Sequence, residues 1–392
     1  MQRGPDSGGA AMRPVVILGS GLAGYSVARE FRKRDKSQPL VLITAEQGDF
    51  YSKPALSEAF GSGIALDRLV SRPAAAMAGQ VKGEVLAGTR VLTIDAAARE
   101  VATTGGTLAY DKLVLALGAE PVRLDLDRDA RDRIFAVNDL ADYRRFRGAL
   151  DRRKTVIILG AGLIGCEFAH DLRLAGHQVK VIDLAPWPLN RLLPAENGRF
   201  LQDALEQLGV EWHLGAGIAA VERTGAGVRV GCADGRWLEG DLVLSAIGLR
   251  PRTALAREAG LEVGRGIAVD RSLRTSDANI FALGDCAELQ GHWLPYIAPI
   301  PPAARAIAAQ LAGGHAEISY PPMPVIVKTP CCPTVACPPP AGVEGAWTVE
   351  ADGEGMRSLW HDRQGRLRGF ALQGARAAHA ERLVPDMPLL CG

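Results

Sequence analysis

Six glycines carry the first chemical signal in this sequence. Gly19, Gly21 and Gly24 follow the apolar run "RPVVIL", and Gly160, Gly162 and Gly165 follow "KTVIIL", so G-x-G-x-x-G occurs twice directly after a strand-length stretch. In that setting the first glycine permits a tight turn, the second lets the backbone approach a pyrophosphate, and the third lets a helix pack close to the strand. The helix amino termini, with Ser20, Leu22 and Ala23 at one turn and Leu163 and Ile164 at the other, then face the phosphates with their N–H groups. An acid about 20 residues on completes such a unit by accepting from a ribose hydroxyl. Asp183 ends "HQVKVID" in that place, where it also repels a 2′-phosphate and so favours NADH; Glu46 in "LVLITAEQ" is the counterpart after the first turn. Two such units in strand–turn–helix context imply two dinucleotide sites.

The elements that must hold these residues are legible in the same stretches. "RPVVILGSGLAGYSVAREFRK" reads as a strand, a turn and a helix in which Leu22, Val27 and Phe31 share a face, and the pattern repeats from Lys154. The fold class is therefore α/β, with two mostly parallel sheets covered by helices. A chain of 392 residues with 47% hydrophobic side chains is long enough for two or three cored domains. Its net charge of +1 gives no global pull toward nucleic acid or an acidic membrane. No run reaches the roughly 18 to 20 apolar residues that span a bilayer, and the polar start "MQRGPDSGGAAMR" lacks a signal peptide's apolar stretch. A cytoplasmic protein with a flexible extension at residues 1–11 is expected. Seven cysteines offer no CxxC pair, and "CCPTVAC" lies among prolines, so ordinary reduced thiols are expected. The seven histidines are scattered, which leaves no zinc site and no hydrolytic triad, so no metal is expected. The basic run "YRRFRGALDRRK" reads as a solvated helix leading into the NAD-binding part, with steering of an acidic partner as the alternative.

Further segments resemble a known family. "YDKLVLALGAEP", "DLVLSAIGLRPRTAL" and "SLRTSDANIFALGDCAE" resemble signatures of the two-dinucleotide-binding flavoproteins, although Leu117 stands where threonine is usual. "SKPALS" and "PMPVIVKTPCCP" are similar to the NADH-dependent rubredoxin reductase branch, and the resemblance runs from about Arg13 to the carboxyl end. It implies two nested Rossmann-like domains with a small α+β carboxyl-terminal domain: FAD-binding residues 12–122 and 251–320, an NAD-binding insertion at 123–250, and a third domain at 321–392.

The resemblance also implies roles. Asp285, after Gly284, would accept from the ribityl chain of FAD; Val91, Gly118 and Gly248 join the cofactor-binding set. Pro301 and Pro302 lack N–H groups, so Ala303 or Ile300 would have to donate from a helix amino terminus to the flavin pyrimidine. Lys53 and Lys328, two of only eight lysines, fall in flavin-side motifs, where an ammonium is a compact donor near N5. Glu167 is the expected anion partner of Lys53. No redox disulfide is available beside the flavin, because the stretch "YSKPALSEAF" has no cysteine. Electrons would then leave to an external electron carrier, a quinone, oxygen or a peroxide, and the activity the resemblance implies is transfer from NADH through FAD to rubredoxin or a similar small iron protein. A ferredoxin or flavorubredoxin reductase, a flavin oxidase or peroxidase, and an FAD- and NADH-binding redox sensor stay open, as does monomer or dimer.

Overall fold

The computed structural model describes residues 12–124, 128–150, 154–225 and 227–390. The expected extension at residues 1–11, Cys391 and part of the basic run (151–153) lie outside them. The chain divides into two compact units, one of residues 12–51, 70–119 and 251–318, the other of 52–69, 120–250 and 319–390. Segment 52–69, expected inside the first flavin-binding stretch, packs with the second unit.

Each unit is built on a five-stranded sheet whose strands run parallel. In the first the order is Ile280–Ala282, Lys112–Leu115, Val15–Leu18, Leu40–Ile43, Glu84–Leu86. In the second it is Ile134–Phe135, Leu242–Ser245, Thr155–Leu159, Gln178–Asp183, Val210–Leu214. The fingerprint strand is central in both, and Val15–Leu18 is buried at every residue, as a strand covered on both faces must be. Helix Leu22–Arg34 buries Val27 and Phe31, leaves Leu22 half-buried, and packs on helix Ile300–Leu311.

Each unit also carries a three-stranded antiparallel sheet: Val91–Asp95, Glu100–Thr103 and Gly106–Ala109 in the first, and Ile218–Arg223, Val228–Cys232 and Trp237–Gly240 in the second. The carboxyl-terminal part of the second unit is a five-stranded antiparallel sheet around Phe370 and Leu372. Its helical elements, Ala375–Arg382 and Val384–Asp386, are 3₁₀ turns, so among the described residues this part holds no α-helix. No helix among the described residues is long and apolar enough to cross a membrane.

Candidate functional site

The two glycine turns are built alike, and each glycine's surroundings explain its presence. A Cβ on Gly19 would stand 2.2 Å from the carbonyl oxygen of Ala116, and one on Gly160 would stand 2.6 Å from that of Ala246. Both glycines have positive φ, +113° and +103°. A Cβ on Gly24 or Gly165 would come within 2.0 Å of the carbonyl oxygen of Gly19 or Gly160, so helix and turn touch backbone to backbone. The middle glycines differ. Gly21 and Gly162 have φ of −73° and −76°, which any residue adopts, and a Cβ on either would meet no protein atom within 4 Å. Both are helix N-caps with no side-chain cap, so the orphan N–H groups of each first turn face outward. Nothing among the described residues requires glycine there, whereas a pyrophosphate drawn against the backbone would.

Around the first turn the structure gathers several expected residues. Ser20 is buried, while Leu22 and Ala23 open the helix half-buried. Gly284, at φ +72°, lies so close that its Cβ would be 3.1 Å from that of Ala23, which brings Asp285 to the same end of the sheet. Gly118 (φ +69°) follows Ala116 and has open space where a Cβ would be. Glu46 is exposed three residues beyond strand Leu40–Ile43 and lies 3.5 Å from the Tyr51 hydroxyl. Val91 is half-buried in the separate antiparallel sheet.

At the second turn Leu163 and Ile164 open helix Leu163–Leu174, and Gly248 (φ +120°) matches Gly118 in place and openness. Asp183 faces the turn, but its oxygens already have donors. One accepts from the Ala161 N–H within the glycine turn, the other from the Ala185 N–H at 2.7 Å. It therefore braces the turn.

Two expectations require correction. Neither Ala303 nor Ile300 has an idle N–H: Ala303 donates to the Pro299 carbonyl at 3.2 Å and Ile300 to that of Ile297 at 2.9 Å. With prolines at the two positions between, the amino terminus of helix Ile300–Leu311 offers no spare donor in its first turn. Second, Glu167 does not pair with Lys53. Lys53 begins the 3₁₀ turn Lys53–Ser57, is exposed, and has no ion pair among the described residues. The turn instead directs Ser57, four residues on, at Glu167.

Glu167, 1% exposed, accepts from Ser57 Oγ at 2.7 Å, Lys328 Nζ at 2.9 Å and the Lys328 N–H at 3.2 Å. The Lys328 ammonium also donates to Ser57 Oγ at 2.6 Å and to the Pro54 carbonyl, with Glu58 Oε1 at 3.8 Å. The lysine that meets Glu167 thus comes from "VKTP", not from "SKPALS".

Ser57 and Asp171 went unnoticed in the sequence. Asp171, one helical turn after Glu167 and 2% exposed, accepts from the Phe60 N–H at 3.0 Å and the Gly61 N–H at 2.7 Å. Burial pushes its carboxyl up, while the Gly61 and Phe60 N–H groups pull it back. The i, i+4 spacing of two acids on a buried helix was the available signal. Burial raises the thiol pKa of all six described cysteines, so thiolate chemistry is disfavoured at each. No cluster of metal-ligating side chains occurs among the described residues.

Comparison with known proteins agrees with this layout. The sequence profile of the family described as pyridine nucleotide-disulphide oxidoreductase matches residues 13–310, and that described as rubredoxin binding C-terminal domain matches 317–387. A rubredoxin-NAD(+) reductase of Alcanivorax borkumensis is 47% identical over 97% of this chain and 100% of its own. A nitric oxide reductase FlRd-NAD(+) reductase of Aeromonas hydrophila is 41% identical over 96% of this chain and 97% of its own. Among solved structures, that of the covalent putidaredoxin reductase–putidaredoxin complex superposes with a TM-score of 0.86 at 27% identity, covering 96% of this chain and 94% of that one.

Proposed function

Because the chain belongs to the pyridine nucleotide-disulphide oxidoreductase family, we propose that it is an FAD enzyme that takes a hydride from NADH and returns single electrons to rubredoxin. The observation that carries this reading is the doubled glycine turn, each with a middle glycine facing space empty of protein, in a chain that also matches a rubredoxin-binding domain. Bound FAD supplies a group that accepts two electrons together and releases them one at a time.

The chain's own residues hold and orient the two dinucleotides. Gly19, Ser20, Gly21, Leu22, Ala23 and Gly24 receive the FAD pyrophosphate, with Glu46, Val91, Gly118, Gly284 and Asp285 contributing ribose, ribityl and turn contacts. Gly160, Gly162, Leu163, Ile164 and Gly165 receive that of NADH, and Asp183 selects it over NADPH. Lys53, Glu167 and Lys328 set the charge on the flavin side, with Lys328 rather than Lys53 holding Glu167. The reading places the protein in the cytoplasm and divides the chain functionally into the FAD, NAD and partner-binding parts expected from the sequence.

Anaerobic reduction by NADH followed by rapid mixing with rubredoxin, ferredoxin and a disulfide tests the proposal. Rubredoxin should be reduced fastest; equal or slower transfer to it than to the other two overturns the assignment of the partner. The 41% identical FlRd-NAD(+) reductase supports a second reading, in which the acceptor is a flavorubredoxin, and a fourth mixing arm decides it.

A further inference from the structure

Segment 52–69 carries the "SKPALS" motif read as flavin-side and lies in the second unit. It follows strand Phe50–Tyr51 and precedes Val70–Arg72, which pair with each other. Side chains and backbone of the second unit hold it at several points. Phe60 packs edge-on against Tyr143 at 5.2 Å and Phe146 at 5.8 Å between ring centroids. Arg147 stands over the Phe60 ring and donates to the Ile64 carbonyl at 2.5 Å. Ser57 and Pro54 meet Lys328 and Glu167 as described, and the Phe60 and Gly61 N–H groups converge on Asp171. Gly61 leaves no slack there: a Cβ would meet Leu174 Cβ at 2.8 Å and Asp171 Oδ1 at 3.0 Å.

Asp171 lies on helix Leu163–Leu174, the helix that begins at the second glycine turn. We propose that Asp171 is a positioning residue for hydride transfer: by taking both N–H groups of the Phe60–Gly61 turn it fixes segment 52–69 to the helix that binds the hydride donor. This rests on the functional reading above. Hydride transfer requires reacting atoms about 3 to 3.5 Å apart, and displacement by about 1 Å can cost 100-fold. A carboxylate suits the task because each of its two oxygens accepts one N–H. An asparagine in its place has one oxygen and one NH₂, and the NH₂ would face a donor.

The test uses the holoprotein. In Asp171→Asn and, independently, Gly61→Ala, bleaching of the flavin at saturating NADH should slow about 10- to 100-fold per bound flavin. NADH affinity should stay within a factor of about two, since the glycine turns and Asp183 are untouched. Electron transfer from dithionite-reduced protein to rubredoxin should be unchanged. A residue that only supports the fold would lower flavin content and melting temperature but leave the rate per bound flavin intact, and that result overturns the proposal. If Asp171→Asn does not fold, Gly61→Ala decides alone. A wild-type protein that NADH does not bleach sinks the functional reading and this inference with it, whereas normal bleaching in both wild type and variants sinks only this inference.

Discussion

At the residue scale, the pairing of Glu167 makes a quantitative prediction. Lys328→Met leaves a fully buried carboxylate without its ammonium, and removal of one member of such a pair costs about 3 kcal/mol. Adding Glu167→Gln removes the stranded charge, so chemical denaturation should show a coupling of roughly 0.5 to 3 kcal/mol between the two changes. Lys53→Met and Glu167→Gln should instead add to within about 0.5 kcal/mol, because these side chains do not meet. Additive Lys328 and Glu167 effects would show that the pair does not form in solution. Asp183 has a double role to test as well. Asp183→Ala should narrow the preference for NADH over NADPH and also strip acceptors from the Ala161 and Ala185 N–H groups, at a cost of about 2 kcal/mol. A specificity change with an unaltered denaturation midpoint would mean that the turn does not depend on it.

At the scale of the strand–turn–helix element, the middle and last glycines of a fingerprint should fail differently. Gly21→Leu places its side chain in open space at an ordinary φ, so the protein should fold yet purify colourless, because the pyrophosphate can no longer approach. Gly24→Ala forces a Cβ to within 2.0 Å of the Gly19 carbonyl oxygen, so helix and strand must separate and the fold itself should suffer. Flavin content and circular dichroism read the two outcomes. Full flavin in Gly21→Leu would remove the first turn from the argument. The two prolines at the start of helix Ile300–Leu311 belong to the same scale, since an element can match a pattern while lacking the donors the pattern usually supplies.

The whole molecule is marked by how deeply its tyrosines are packed. Burial pushes Tyr25, Tyr110 and Tyr143 up to about 12, and all three are fully buried. In the unfolded chain a tyrosine titrates near 10. Because the folded values are raised, their contribution is fully present below pH about 10 and is lost as pH rises toward about 12. A spectroscopic titration should therefore show at least these three of the six tyrosines ionising only as the protein unfolds. Reversible ionisation of all six near pH 10 in the folded protein would contradict the packing. Within the second unit, the carboxyl-terminal sheet is fastened to helix Ala195–Gln207 by buried amides. Asn197 Nδ2 donates to Gln373 Oε1 at 2.9 Å, Gln373 Nε2 to the Asn197 carbonyl at 3.0 Å, and Ser358 Oγ to Asn197 Oδ1.

Sequence alone determined the parts of this protein that depend on local rules. A glycine turn between an apolar strand and an amphipathic helix is specified within about 20 residues, so Gly19 to Gly24, Gly160 to Gly165 and Asp183 were found by spacing, and with them the doubled α/β architecture. Tertiary structure decided what depends on residues far apart in the chain. Glu167 and Lys328 are separated by 161 positions, and Ser57 and Glu167 by 110, so no local pattern says which lysine reaches the carboxylate. Segment 52–69 shows the same limit: its composition marks a turn, but whether it packs with the unit on either side of it in sequence depends on partners such as Asp171 and Arg147. Backbone donors at Ala303 were likewise beyond reading, because whether an N–H is free depends on which carbonyl the folded chain brings to it.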